Sequence, residues 1–354
     1  MKVAIVQPKP PWFHGGVERI TKEVAIRIKN RINIEIFCTS SNSNEVGDYI
    51  WNDIPVHVNK GSNVYYFSPS LYNSMKKSAF DLIHSHSFTS FTHIVALLTK
   101  KNKPLIFSPH FHPYSRRPIY SFVRRYYDSI IVPYILKSSD LIVCDSYTEC
   151  RLLFSKYSLN KKSVVIPNGV NDLQIKKTKP YNFDGYMILY VGRLEKHKNI
   201  HLIIQAMKYL PTDFYLYILG NGSYKKELEK LVEELNLRKR VKIISEASDE
   251  GVYRYLKTCT VFVTLSELET FCMTCLEALA ASKPVIVNND GLGCTEVANI
   301  FKQAINLFDI KRQSPRDLSI LIQNMTEKKI AVDLTNYTWE NIATKFLKLY
   351  KSYS

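Results

Sequence analysis

The sequence predicts an α/β protein of two domains, each built on a mostly parallel sheet. Three observations carry this. Short β-branched and apolar runs alternate with stretches of helical periodicity along the whole chain, the pattern of βαβ units. The 354 residues are enough for two cores of ordinary size. A charged, Pro-containing segment, 171–185, then breaks the alternation midway, just after the turn Ile166-Pro-Asn-Gly-Val170, and reads as a linker. The first domain is therefore placed at 1–175 and the second at 180–336.

Composition removes several classes. Apolar residues make up 45% of the chain, and no period of 20–50 residues recurs. The longest apolar run beside a helix candidate, Ile130–Leu136, is interrupted by Pro133 and falls far short of the roughly 20 residues that span a bilayer. The opening MKVAIVQPKPPW has too short an apolar core for a signal peptide, so the expected compartment is the cytosol. Seven scattered cysteines do not describe a disulfide framework. Cys272 and Cys275 form a CxxC without a second pair, and read as packing thiols rather than redox or metal ligands. The net charge of +16 is uneven: residues 1–180 hold 25 Lys and Arg against 12 Asp and Glu, the rest 23 against 20. The first half suits an anionic partner: nucleic acid, anionic lipid or a phosphorylated substrate.

Taken in order, Val3–Val6 is the first strand. Its loop ends in Gly15-Gly16, ahead of a helix with Val17, Ile20, Val24 and Ile28 at helical spacing. The spacing of a dinucleotide fingerprint is absent there. Strands follow at Ile34–Phe37, Asp81–His86 and Leu105–Ser108. The last two bring His84, His86, His110 and His112 to strand ends as two His-x-His pairs. No cysteine or carboxylate of suitable spacing adjoins them, so metal is not expected. Hydrogen bonding within its own loop is an equal alternative for His86. Residues 114–137 interleave Arg116, Arg117, Arg124 and Arg125 with tyrosines and Phe122. Three readings compete: an anionic membrane surface, a helix whose basic side chains cover the sheet, and stacking on nucleic-acid bases. No nucleic-acid motif accompanies the segment, and nucleic acid is not expected as a partner. A strand at Asp140–Ser146, a helix at Ser146–Tyr157 and a strand at Val164–Ile166 close the first half.

Met187–Val191 opens the second half. In the turn after it Arg193 and Lys198 stand five apart, ahead of a helix N-terminus. A guanidinium fork and a point charge so placed suit a diphosphate, with a solvated charge run as the alternative. Phe214–Leu219 leads to Gly220-Asn-Gly222, a charged helix at 223–236 follows, then a strand at Val241–Ile244. The most informative stretch is 261–287, VFVTLSELETFCMTCLEALAASKPVIV. A buried strand there runs through a polar loop into a helix with Met273, Leu276 and Ala280 on one face, and Val285–Val287 starts the next strand. Ligands of open parallel sheets bind outside strand carboxyl ends, where helix N-termini present free N–H groups. Glu269 can then face the held group and Glu277 a neighbouring polar part of it. Asn289-Asp290-Gly291 and Gly293 are turn signals. The end, 337–350, is helical, with Ile342, Phe346 and Leu349 on one face.

This stretch resembles the double-glutamate motif of the retaining glycosyltransferases of family four, which have the two-domain GT-B fold. Ser266, Glu269, Phe271, Leu276, Glu277, Ala278 and Pro284-Val285 match; Thr270 and Cys272 replace two glycines. Gly15, Gly16 and Glu18, the Pro-Asn-Gly-Val turn, Gly192-Arg193-Leu194 with Lys198-Asn199, and Gly220-Asn-Gly222 are similar to the family's other motifs, in its order, so the resemblance covers nearly the full chain. It implies two Rossmann-like domains facing across a cleft, the first for the acceptor and the second for a nucleotide-diphosphate sugar, with a Trp-containing helix (337–354) returning to the first. It implies donor binding by Gly15, Gly16, Arg193, Lys198, Gly220, Glu269, Phe271, Cys272, Met273, Thr274 and Glu277. Arg193, Lys198, Glu269 and His110 would be the catalytic set, with amides of 271–274 helping to hold the diphosphate. His86 and His112 would lie near a sugar or lipid-linked acceptor. The absence of any Asp-x-Asp agrees with a metal-independent reaction and no cofactor. A basic, lipid-acceptor enzyme of this kind would sit peripherally on the inner face of the membrane. Two alternatives are an epimerase- or phosphorylase-like enzyme and a non-catalytic basic binding protein on the same scaffold.

Overall fold

The computed structural model describes residues 1–353 apart from 64, 89 and 112–126. Two compact units divide the chain: Met1–Asn168 with Trp339–Ser354, and Gly169–Thr338. The boundary thus precedes the expected linker. Asp172–Lys177 is a helix whose Ile175 is fully buried in the second unit's core, because the Val170 amide donates to the Tyr337 carbonyl (2.8 Å) and ties the segment down.

The first unit holds strands β1 (Lys2–Val6), β2 (Asn33–Ser40), β3 (Gly47–Trp51), β4 (Ile54–Lys60), β5 (Leu82–His86), β6 (Leu105–Ser108), β7 (Leu141–Cys144) and β8 (Ser163–Val165), in the spatial order β3-β4-β2-β1-β5-β6-β7-β8. Among the described residues only β3 runs antiparallel, against β4. Its hairpin turns at Asn52 and Asp53, both with positive φ (48° and 61°), a geometry these two residue types tolerate. Helix α1 (Gly16–Ile28) lies beside the C-terminal helix Trp339–Lys351, and Arg27 joins them by an ion pair to Glu340 at 2.9 Å. The Tyr350 hydroxyl meets His84 Nδ1 at 2.7 Å inside this unit. Ser146 caps the helix Tyr147–Tyr157 by accepting from the Glu149 amide (3.0 Å), which starts that helix directly above the end of β7.

The second unit has six strands: β9 (Tyr186–Val191), β10 (Phe214–Leu219), β11 (Val241–Ile244), β12 (Val261–Thr264), β13 (Val285–Asn288) and β14 (Ile305–Phe308). Their order is β11-β10-β9-β12-β13-β14 and every neighbouring pair is parallel. Alternate residues of β9 enter opposite cores: Met187 and Leu189 one, Ile188 and Tyr190 the other. That is why its sequence is an unbroken apolar run: both faces are covered. Between β9 and β12 the strand order reverses, and such a switch point leaves a crevice at the carboxyl ends. The loops that leave β9 and β12 carry Arg193, Lys198 and Glu269.

Candidate functional site

Lys198 ends a short 3-10 turn (Lys196–Lys198) and is 8% exposed. Asn199 follows in the left-handed region (φ 54°) and its side-chain amide donates to the Leu265 carbonyl at 3.0 Å. With the Glu267 amide bonded to the His197 carbonyl (3.0 Å), the two loops are laced together. The Lys198 ammonium is thereby aimed at the end of β12, where it donates to Ser266 Oγ (3.0 Å) and forms an ion pair with Glu269. An ammonium has three donors, so two fixed bonds leave a third for an incoming anion. Arg193 is exposed, and its guanidinium makes no ion pair among the described residues. The Tyr190 hydroxyl donates to its carbonyl at 3.0 Å. Burial, then the charges of Lys198 and Arg193, hold the His197 ring below its ordinary titration.

Gly220 shows why glycine is required here. Its φ is 144°, and a Cβ would stand 2.0 Å from the Gly192 carbonyl oxygen. Gly293 has a second packing role and is no turn residue. It opens the helix Gly293–Ile300, its amide donates to the Glu269 carbonyl at 3.0 Å, and a Cβ would meet the Thr270 carbonyl oxygen at 2.3 Å. Leu268 sits at φ 80°, an unfavourable conformation for a non-glycine, held between this brace and Asp290, which accepts from its amide (3.4 Å). Burial raises the Asp290 carboxyl above its usual range, against the hydrogen bonds it accepts. Leu268 and Asp290 left no signal in the sequence.

The helix Met273–Ala280 follows its N-cap residue Cys272. Phe271 is buried and stacks on Tyr337 (18° between planes), so it offers a ligand only its backbone. The Met273 amide turns back to the Phe271 carbonyl (3.1 Å). Thr274 is part-exposed on the first turn, and Glu277 is 2% exposed one turn on. Cys272 and Cys275, expected as packing thiols, are joined as a disulfide. The spacing allows it because a CxxC spans one helical turn, leaving the Cα atoms 5.3 Å apart.

In the first unit the switch point lies between β1 and β5. Gly15 precedes α1, and a Cβ there would strike Glu18 Oε2 at 2.1 Å; Gly16 is the first helical residue. Glu18 is nearly buried, which raises its carboxyl. His86, ending β5, meets His110 across a 3.2 Å nitrogen–nitrogen contact, and His110 Nδ1 meets Asp145 Oδ2 at 2.8 Å. Burial pulls His110 down, but Asp145, then Glu149 and Glu18, outweigh it and raise its titration. His86 is held well below its ordinary value by burial and by its histidine neighbours. His110 thus faces the Asp145 carboxylate with Nδ1 and His86 Nδ1 with Nε2. Glu149 accepts from the amides of Phe111 (2.5 Å) and Asp145 (2.6 Å) and fixes this corner. Sequence reading missed Asp145 and Glu149, although an acid ending a strand and one four residues on was the available sign. His112 and Arg116, Arg117, Arg124 and Arg125 lie outside the described residues.

Among the described residues, the three-sulfur group Cys272, Cys275 and Cys294 is the one set of three or more His, Cys, Asp or Glu placed closely enough for a metal ion. No described helix is long and apolar enough to cross a membrane.

Comparison with known proteins adds the family. The model of "Glycosyl transferases group 1" matches residues 172–340 and that of "Glycosyltransferase Family 4" residues 14–172. An uncharacterized glycosyltransferase of Methanocaldococcus jannaschii is 28% identical, over 98% of this chain and 97% of its own. The N-acetylgalactosamine-N,N'-diacetylbacillosaminyl-diphospho-undecaprenol 4-alpha-N-acetylgalactosaminyltransferase of Campylobacter jejuni is 32% identical over 52% of this chain and 50% of its own. Among solved structures, HepE of Anabaena in complex with UDP superposes with a TM-score of 0.78 at 17% identity, covering 99% of this chain and 100% of that one.

Proposed function

The chain belongs to the group 1 glycosyltransferases of family four, and from that membership we propose that it moves a sugar from a nucleotide-diphosphate donor to an acceptor with retention and without a metal. One observation carries the donor half: Lys198, Ser266 and Glu269 converge at the switch point of the second unit beside exposed Arg193. In this reading the bond from the anomeric carbon to the diphosphate oxygen breaks as the acceptor hydroxyl oxygen bonds to the same face, and the hydroxyl proton passes to the leaving diphosphate. Charge then grows on the leaving diphosphate. Arg193 and the third donor of Lys198 stabilise it there, with the Thr274 amide on the first turn of the helix Met273–Ala280, whose neighbours Met273 and Cys275 already donate to backbone carbonyls, and such stabilisation is usually the largest catalytic contribution. Glu269, turned from the ammonium, accepts from sugar hydroxyls and orients the ring. Buried Glu277 takes the ribose hydroxyls. Gly220 lets the backbone come close to the nucleotide.

The His86–His110–Asp145 chain serves the sugar and acceptor side, where a charged His110 donates hydrogen bonds. A lipid-linked acceptor bearing a diphosphate is the reading favoured by the Campylobacter relative's name and by the positive charge of residues 1–180. It brings peripheral binding at the inner membrane face through Arg116, Arg117, Arg124 and Arg125. Sedimentation with anionic vesicles that falls with salt, and is lost when these four arginines are neutralised, supports it; indifference to both contradicts it.

The function is tested by a thermal-shift panel of nucleotides and nucleotide sugars, followed by transfer from the best donor and NMR of the product's anomeric proton. Transfer with the donor's own configuration supports the reading; inversion, or donor hydrolysis alone, contradicts it. Thr270 and Cys272 in place of glycines favour a second reading, a nucleotide-binding protein without transfer. Tight binding with no product for any acceptor would favour that one.

A further inference from the structure

We propose that Cys272 and Cys275 are a reversible thiol–disulfide pair that fixes the first turn of the donor-site helix, with Cys294 as a reduced neighbour. The inference rests on the donor reading only for its consequence, not for the chemistry of the pair. Cys272 is the N-cap of the helix Met273–Ala280 and Cys275 its third residue, with the Cα atoms 5.3 Å apart, inside the range a disulfide bridges. Cys272 is 3% exposed and Cys275 is fully buried, so Cys272, at the helix N-terminus, is the sulfur a small oxidant meets first. Cys294, the second residue of Gly293–Ile300, brings a third sulfur, and all three sulfurs lie within 4.8 Å of one another. Its thiol is held far above the ordinary range by burial, then by Glu269 and Asp290.

The step balances with hydrogen peroxide as oxidant. One thiolate attacks a peroxide oxygen, giving a sulfenic acid and, after protonation, water. The second thiolate attacks the sulfenic sulfur, closing the S–S bond and releasing a second water. An external dithiol reverses it, taking up the sulfurs' bond as its own disulfide. Closure ties the N-cap to the first turn, where the Cys272 carbonyl already accepts from the Cys275 amide at 3.2 Å. The loop from Glu269 to Thr274 is then less free to open.

Two measurements on the full chain, neither needing a nucleotide, test this. After peroxide, iodoacetamide under denaturing conditions should label Cys294 directly but Cys272 and Cys275 only after reduction; Cys294→Ser should leave the protection of Cys272 and Cys275 intact, and Cys272→Ser should leave Cys275 directly labelled. Amide exchange across 273–276 should be roughly tenfold slower in the oxidised chain than in the reduced one, with no such difference in Cys272→Ser or Cys275→Ser. Direct labelling of all three cysteines after peroxide, a bond to Cys294, zinc retained on three thiolates, or equal exchange in both states each overturns the proposal. Failure of the donor reading would instead appear as absent nucleotide binding with these two results unchanged.

Discussion

Lys198 and Glu269 stand 71 positions apart in the chain and form an ion pair at the carboxyl ends of β9 and β12. Their side chains are 10% and 27% exposed, so the pair is largely shielded from water. In the proposed reading Lys198 exchanges the carboxylate for a phosphate when the donor binds. The two residues then have separable jobs.

Glu269→Gln is expected to leave nucleoside diphosphate affinity unchanged or better, since the Lys198 ammonium is released to the phosphates. Transfer should fall on the order of 100-fold, because the sugar loses its orienting acceptor. Titration calorimetry and initial rates on the same preparation check both halves. A loss of diphosphate affinity with transfer intact would reverse the assignment.

Gly220→Ala places a Cβ 2.0 Å from the Gly192 oxygen at a φ of 144°. The expected cost is roughly 2–3 kcal/mol, or about 5–10 °C in the melting of the second unit. Gly291→Ala is the control: φ there is 70°, but nothing lies within 4 Å of the new carbon. It should cost about 1 kcal/mol. Equal losses in the two variants would mean that backbone conformation alone, and not the close approach of the two loops, demands glycine at 220.

Acid should destabilise the first unit. His84 and His93 are held down to about 3 by burial, and His86 lies well below its ordinary 6.5. Below pH 6.5 the unfolded chain takes up protons that these folded histidines refuse, so stability present above 6.5 is lost as pH falls toward 3. Each contributes a slope approaching roughly 1.4 kcal/mol per pH unit. His110 has the opposite sign: its raised titration gives stability that is complete below 6.5 and lost as pH rises through its folded value. Denaturant unfolding at pH 7 and pH 5 checks this, and His93→Phe should flatten the acid slope. An acid slope unaffected by His93→Phe contradicts the assignment to that ring.

Asp145→Asn removes the charge that most raises His110. The ring should then titrate at lower pH, read from its carbon-bound protons by NMR, with Asp145→Glu restoring part of the shift. No movement would show that Asp145 does not set the charge of His110.

Much of this was legible in the residues. Leu105–Ser108, Phe214–Leu219 and Val241–Ile244 are strands with the very bounds the sequence suggests; the first two are buried almost throughout, so continuous hydrophobicity marks them, while Val241–Ile244 is an edge strand interrupted by exposed Lys242. The hairpin β3–β4 escaped: β3 is an exposed edge with Asp48, Tyr49 and Ile50 facing out, so it lacks that mark. The helix Asp249–Thr258, capped by Ser248, also went unread between two polar loops. At the candidate site, Arg193, Lys198 and Glu269 stood out by spacing and charge and Gly220 by its resemblance to a family motif, and the fold brings Lys198 and Glu269 together. Asp145, Glu149 and Asp290 were not, since their work is to hold backbone amides and a histidine that only the fold brings to them.

The central claim is that the second unit meets a diphosphate with Arg193 and Lys198. It is tested most directly by calorimetric titration of the wild-type chain, Arg193→Ala and Lys198→Ala with the preferred nucleoside diphosphate and, in parallel, its nucleoside. The account predicts that each variant loses at least about 1.4 kcal/mol, tenfold, toward the diphosphate while affinity for the nucleoside stays the same. Diphosphate binding as tight in both variants as in the wild type would contradict it.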